Sequence, residues 1–260
     1  MGSSFMVDLK IAGSNVKKVA LGNSQDRGGR DYQEDSFGYS ALDSDSVSKY
    51  GFTAAVADGM GGLSCGDQVS AYAVSAMIGM KALPDGVPVH IRFTRLLREI
   101  NRRVVESGLG GGCTAVAVMC TKDGVFWSSV GDSRIYLFRN EELCRLTEDS
   151  DYHNVLFDQV ISGDLSCTQA ATDPQKDSLA GYIGYNGEIN PDVNIRPFIP
   201  RKGDRILICT DGVYNALEDS ELSRALLLHA QEAADDIKNR IMMKNYSNQD
   251  NYTAVVLEFV

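Results

Sequence analysis

Val56-Ala57-Asp58-Gly59-Met60-Gly61-Gly62 is the stretch on which the reading of this chain turns. An apolar run ends on a carboxylate that faces a glycine-rich turn. The pattern returns at Ile208-Cys209-Thr210-Asp211-Gly212 and, with asparagine in place of glycine, at Asp250-Asn251 ahead of the apolar run from Tyr252 to Phe259. A related copy, Val130-Gly131-Asp132-Ser133-Arg134, lies between the first two. Buried strands rarely end on a carboxylate without a partner, because an unpaired charge beside a core is expensive. Hard divalent cations are the usual partner of clustered oxygen ligands, so the aspartates read as a metal site. Any one Asp-Gly on its own is a turn.

Working outward, Phe37, Tyr39 and Ala41 alternate as in a strand. Gly51 to Ala57, Thr114 to Cys120, Val125 to Val130, Ile135 to Phe138, Arg205 to Thr210 and Thr253 to Val260 are further strand candidates, rich in β-branched residues and bounded by turn signals. Hairpin-length turns such as Lys122-Asp123-Gly124 imply mostly antiparallel pairing. Helical spacing covers Asp67 to Leu83 and Ile91 to Glu106, where Phe93, Leu96, Leu97, Ile100 and Val104 keep the 3.6-residue period and Gly108 ends the run. Two shorter helices are expected after Asp219 and Glu232. From Asp151 to Pro200 the periodicity fades among Gly163, Gly181, Gly184, Gly187, Asp173-Pro174 and Asn190-Pro191. Strands interleaved with helices predict an α+β layered domain.

Composition excludes more than it identifies. The chain has 260 residues, 43% of them hydrophobic, and no Pro-rich, Ser-rich or single-charge linker, which favours one domain over 21–260 behind an N-terminal segment, 1–20, read as a leading strand or a cloning scar. A formal net charge of −10 argues against nucleic acid as a partner. No N-terminal apolar stretch serves as a signal peptide or membrane span, so a cytoplasmic monomer is expected. Met1-Gly2 suggests myristoylation, but Met6 stands where Ser or Thr is needed. Cys65, Cys113, Cys120, Cys144, Cys167 and Cys209 form no Cys-x-x-Cys pair and read as reduced thiols, none placed as a catalytic nucleophile.

Read in order, Arg30-Asp31-Tyr32-Gln33-Glu34-Asp35-Ser36, the Asp58 motif, Gly112-Cys113-Thr114, the Asp132 motif, Leu146-Thr147-Glu148-Asp149, Gly203-Asp204 to Asp211-Gly212, and Asp250-Asn251-Tyr252-Thr253 resemble the successive motifs of the metal-dependent protein phosphatases of type 2C. The resemblance runs from about Ser24 to Val260, and its specificity lies in the order of seven short motifs. It implies a four-layer α-β-β-α sandwich, two mostly antiparallel sheets flanked by helices. It also implies hydrolysis of phosphoserine and phosphothreonine in proteins by a water bridging two Mn²⁺ or Mg²⁺ ions, with no phosphoenzyme.

By that resemblance Asp58, Asp211 and Asp250 hold the first ion. Asp35, Asp58 and the Gly59 carbonyl hold the second, with Glu34 in or just beyond the ligand shell. Asp132 would serve a third, weaker ion, or else pair with Arg134 in a turn. Arg30, four and five residues before Glu34 and Asp35, is suited to clamp substrate phosphate. Asn251 and Thr253 are expected to shape the last loop rather than touch metal. The stretch 151–200 corresponds to a flap beside the metal cleft that helps choose the substrate.

The departures matter as well. Relatives carry a histidine after Asp-Gly or after Gly-Gly, where this chain has Met60 and Leu63, so the leaving group must find its proton elsewhere. The segment Thr147-Glu148-Asp149-Ser150 lacks a following histidine, and Cys113 stands where Thr is usual. His90 and His229 are expected in helices and His153 in a loop, none with a special role. Asp43-Ser44-Asp45-Ser46-Val47 matches the pattern of an aspartyl-nucleophile phosphatase, but reads as a Ser-rich turn and a chance match. The rival from another class is a catalytically weak relative acting as a phosphoprotein-binding scaffold, against which the intact Asp35, Asp58, Asp211 and Asp250 argue.

Overall fold

The computed structural model describes residues 5–60, 65–82, 86–176 and 178–260. One sheet runs in the order β1 (Phe5–Asp8), β2 (Lys18–Asp26), β13 (Tyr252–Phe259), β12 (Arg205–Cys209), β9 (Arg134–Arg139), β10 (Glu142–Arg145). The second runs β11 (Asp192–Val193), β8 (Gly124–Val130), β7 (Ala115–Thr121), β4 (Phe52–Ala57), β3 (Ser36–Tyr39), and a short pair joins β5 (Gly59–Met60) to β6 (Gly112–Cys113). Every one of these pairings is antiparallel. The β7–β8 hairpin closes on Lys122-Asp123, with Thr121 opposite Gly124.

Strand periodicity of two explains the layers. Val255, Leu257 and Phe259 of β13 meet Val56, Val116 and Val118 of the facing sheet in the central core, while Tyr252, Ala254 and Val256 turn to the opposite face. That outer face is covered by α6 (Asp211–Tyr214), α7 (Asp219–Ala225) and α8 (Ala230–Lys244), the last through Ala230, Ala233, Ala234, Ile237 and Ile241. The outer face of the second sheet carries α2 (Gly66–Ile78) and α3 (Val89–Ser107), where Phe93, Leu97, Ile100 and Val104 pack on Ala115, Ala117 and Met119. Gly108 closes α3 in the left-handed conformation. The result is the four-layer sandwich, buried on both faces of each sheet.

Several local expectations are corrected. The Asp43 to Val47 segment is not a turn: it opens α1 (Ser44–Tyr50), whose first turn is capped by Asp43 Oδ1 accepting from Ser46 N at 2.8 Å, while Val47 goes into the core. His153 lies not in a loop but in α4 (Tyr152–Ser162), and His229 precedes α8 as its N-cap. The stretch 151–200 carries α4 and a single capped turn and a half, α5 (Cys167–Thr172). Only Leu156 is buried in α4 and nothing in α5, so neither shows an apolar stripe. The N-terminal segment enters the first sheet: β1 lies on β2, and β2 runs on through residue 26. Among the described residues no helix is long and apolar enough to cross a membrane. Met1, Gly2, Gly61, Gly62 and Leu63 lie outside the described residues.

Candidate metal centre

Asp211 and Asp250 stand at or beside the ends of the adjoining strands β12 and β13, and Asp58 at the end of β4 in the sheet packed against them, which is why three carboxylates far apart in sequence converge. With Arg30, Glu34, Gly59, Met60, Thr114, Asp132, Leu179 and Asn251 they line one cleft of about 320 Å³. Asp35 lies beneath it, only 5% exposed. The structure therefore brings together every candidate drawn from the sequence. None of His90, His153 and His229 lines this cleft. Larger hollows exist elsewhere, one of about 650 Å³ between Lys49, His90 and Lys122, but none of the four aspartates borders it.

Hydroxyl groups hold Asp35 by its carboxylate and Asp58 by its backbone. Thr210 and Thr253 donate to Asp35 Oδ2 at 2.9 and 2.7 Å, and Gln25 Nε2 donates to Thr253 Oγ1 at 3.0 Å and to the Asp35 carbonyl at 3.1 Å. Thr114 grips Asp58 by its backbone: its hydroxyl accepts from Asp58 N at 2.9 Å, and its own N–H donates to the Asp58 carbonyl at 2.9 Å. Asn251 accepts from Glu34 N at 2.7 Å and donates to the carbonyls of Arg27 and Tyr32, so it shapes the Arg30 loop rather than only its own. Gly59 is needed for a packing reason the sequence does not show. A Cβ there would sit 2.5 Å from the Glu34 carbonyl oxygen and 2.6 Å from that of Gly66.

Asp132 is half-buried in the cleft, and its carbonyl accepts from the Tyr214 hydroxyl at 3.0 Å. Arg134 does not pair with it. The guanidinium bonds both oxygens of Asp149, at 3.1 and 2.7 Å, and stacks 3.6 Å from the centre of the Tyr214 ring. Arg30, exposed at the mouth, bonds Asp250 Oδ2 at 2.6 Å.

The electrostatics are those of crowded acids. Burial, then the charges of Asp35, Asp211 and Asp132, hold the Asp58 carboxyl well above the usual range. Burial and Asp250 raise Asp211. Burial lifts Asp35 to about 7 against the pull of the Thr253 and Thr210 hydroxyls, and burial with Asp211 lifts Asp132 to about 6. Burial and Asp67 raise Glu34.

These residues fit a pair of hard cations. Asp35 Oδ1 is buried with no hydrogen-bond partner, an acceptor left for something positive. Among the described residues no three His, Cys, Asp or Glu side chains close on a common point tightly enough to hold an ion as they stand. As they stand, Asp250 is turned to Arg30 and Asp35 Oδ2 to its threonines.

The model of the family described as Protein phosphatase 2C matches residues 27–244, and the chain belongs to that family. Serine/threonine phosphatase stp of Listeria welshimeri is 31% identical over 215 residues, covering 78% of this chain and 82% of that protein. The PPM Ser-Thr phosphatase MsPP from Mycobacterium smegmatis, solved in complex with cacodylate, is 26% identical, with a TM-score of 0.68 over 92% of this chain and 98% of that one. The catalytic domain of the serine threonine protein phosphatase PstP, solved with two manganese ions, superposes at a TM-score of 0.69 with 24% identity over 93% and 98% of the two chains.

The hydroxyl bonds of Thr114, Thr210 and Thr253 went unread in sequence, and Asn251, expected to shape its own loop, also holds that of Arg30. A polar residue directly beside an aspartate was a signal for Thr210 and Asn251 alone.

Proposed function

We propose that this protein is a metal-dependent serine/threonine protein phosphatase whose carboxylate cleft holds two Mn²⁺ or Mg²⁺ ions. The observation that carries the reading is Asp35 Oδ1, buried and unpartnered below a cleft lined by Asp58, Asp132, Asp211 and Asp250. Asp58, Asp211 and Asp250 would hold one ion, and Asp35, Asp58 and the Gly59 carbonyl the other. Glu34, at the edge of the cleft, belongs in or just outside that shell, and Asp132 is placed for a weaker third ion. The two manganese ions of the PstP structure support this count.

When bound, such ions supply Lewis acidity and a water acidified toward neutrality. The chain's own contribution is to hold the ligands still through Thr114, Thr210 and Thr253, and to place Arg30 where its guanidinium can exchange Asp250 for phosphate oxygens. In the hydrolysis a water oxygen bonds phosphorus as the phosphorus–seryl oxygen bond breaks. The seryl oxygen then takes a proton, which with no histidine at the cleft comes from water.

The substrate is a phosphorylated protein. The stretch 151–200 reads as the flap that selects it, since Leu179 reaches the cleft wall from there. The buried thiols of Cys113, Cys120 and Cys209, all pushed up by burial, support a reducing compartment such as the cytoplasm and no thiolate chemistry. Nothing in the fold asks for a second copy, and a monomer is the simplest assembly.

The test is hydrolysis of p-nitrophenyl phosphate and of a phosphoserine peptide with Mn²⁺ and with EDTA. Turnover of both that EDTA abolishes and Mn²⁺ restores is expected. Metal-independent turnover, or a phosphoaspartate trapped at Asp43 or Asp45, would overturn the reading.

A further inference from the structure

A second cavity opens directly beside the carboxylate cleft. It measures about 700 Å³ and shares Met60 and Leu179 with the cleft, so the two form one continuous depression. The chemistry changes across that boundary. The cleft is a ring of acids, whereas the groove is lined by residues such as Val104, Val105, Leu179 and Tyr182 over the backbone of Gly110 to Gly112, and among the described residues no charged side chain lines it.

The groove is built, not incidental. One wall is the last turn of α3, the other the segment from Ser178 to Gly184. Asn101 of α3, only 6% exposed, ties them, accepting from Gly184 N at 2.7 Å and donating to the Tyr185 carbonyl at 3.0 Å. Cys113 and Ile183 exchange backbone bonds at 3.0 and 2.9 Å beneath the floor. The floor stays low because Gly112 has no Cβ; one there would lie 2.9 Å from both Met60 Cε and Tyr182 Cδ2. Val105, 36% exposed, is left open on the α3 wall.

We propose that this groove seats a large apolar side chain of the phosphorylated polypeptide, so that the enzyme prefers phosphoserine sites with a leucine or phenylalanine close by in sequence. The inference rests on the phosphatase reading above. The occupant follows from continuity: a polypeptide whose phosphate sits among the acids must leave across their rim, and Met60 and Leu179 lead it into the only uncharged extension that shares them among the cavities described. An apolar anchor there would be buried while the reacting phosphate is held, so its binding energy serves positioning at the phosphorus. A charged residue in the same place would lose its water with no partner.

The experiment is a phosphoserine peptide series in which leucine, phenylalanine, glycine or glutamate is scanned through the flanking positions, with p-nitrophenyl phosphate as the reference substrate. Wild-type enzyme with Mn²⁺ should show kcat/KM about tenfold higher for the best leucine or phenylalanine peptide than for its glycine counterpart. Tyr182→Ala and Val105→Gln should lose most of that preference while hydrolysing p-nitrophenyl phosphate at the wild-type rate. Val105→Gln is a neutral change on a half-exposed helix position, so it remains informative should Tyr182→Ala disturb the fold. A flat scan in the wild type, or a preference that survives both substitutions, would overturn the proposal. A dimer that Val105→Gln dissolves would give the groove to a second copy and overturn it equally. Wild type unable to hydrolyse p-nitrophenyl phosphate with Mn²⁺ would instead sink the phosphatase reading on which it stands.

Discussion

The carboxylate cleft and the stretch 151–200 face each other across Leu179, yet they are built on opposite principles. Every acid of the cleft comes from a strand end or the loop beside one, and hydroxyls from Thr114, Thr210 and Thr253 fix Asp58 and Asp35 from behind. The stretch 151–200 carries two helices on the surface, with Leu156 as the buried residue of α4 and Phe157 and Ile161 58% and 69% exposed. Behind them Ile183 and Ile189 are buried, and the stretch is tied to the body by backbone bonds such as Ala180 N to Ser150 O and the Cys113–Ile183 pair and by side-chain bonds of Asn101 and Asn194. Chemistry that tolerates little displacement sits on strand ends, and the selection proposed for 151–200, which must vary between substrates, sits on surface helices and loops beside them.

The largest effect should come from the floor of the cleft. Asp58→Asn or Asp211→Asn is expected to lower kcat on p-nitrophenyl phosphate by at least about a thousandfold, because loss of the activated water costs several kcal/mol in the barrier. Each variant should keep the wild-type circular dichroism and at least its melting temperature, since an acid is removed from a crowded acidic cluster. A variant retaining more than about a tenth of wild-type activity at saturating Mn²⁺ would break the contrast between cleft and flap.

One layer back, Thr253→Val leaves Asp35 Oδ2 with a single hydroxyl donor and takes from Gln25 one of its two acceptors. About ten- to a hundredfold weaker Mn²⁺ activation is expected, the range found when outer partners of metal ligands are removed. Unchanged Mn²⁺ dependence would show that Asp35 needs no such clamp. At the mouth, Arg30→Ala should raise KM more than it lowers kcat, because the guanidinium binds phosphate and breaks no bond; an unchanged KM for a phosphopeptide would leave Arg30 as no more than the partner of Asp250.

The smallest effect is expected from the histidines. His153 lies at the start of α4 and is exposed, and neither it nor His90 nor His229 borders the cleft. Replacing all three with Gln should cost less than about tenfold in kcat, since a true general acid contributes about 10² to 10⁴. If His153→Gln alone slowed a phosphoserine peptide a hundredfold while sparing p-nitrophenyl phosphate, whose leaving group departs without a proton, the flap would be supplying the acid and the division between the two regions would fail.

The same division explains what could be read from the residues alone. Asp58 and Asp211 were visible because a carboxylate at the end of a fully buried strand is a conspicuous violation of local pattern. The helices α3 and α8 were visible because one face of each is packed on a sheet. Strand β2 was not, since Gly22, Asn23 and Ser24 interrupt its apolar run. The flap helices were not, because an element that buries one residue or none has no apolar period to detect. Thr114, Thr210 and Thr253 went unread because a buried threonine in a strand looks like an ordinary β-branched filler until its hydroxyl is seen to face a carboxylate.

The central claim is that the cleft is a shared two-ion site with Asp58 common to both ions. Calorimetric titration of the EDTA-stripped, dialysed protein with Mn²⁺ tests it without reference to turnover. Wild-type protein should take up two tightly bound Mn²⁺ per chain, and Asp58→Asn should weaken both together, whereas Asp250→Asn should weaken one and leave the other. Fewer than two tight ions in the wild type, or an Asp58→Asn protein that still binds two with wild-type affinity, would contradict the account.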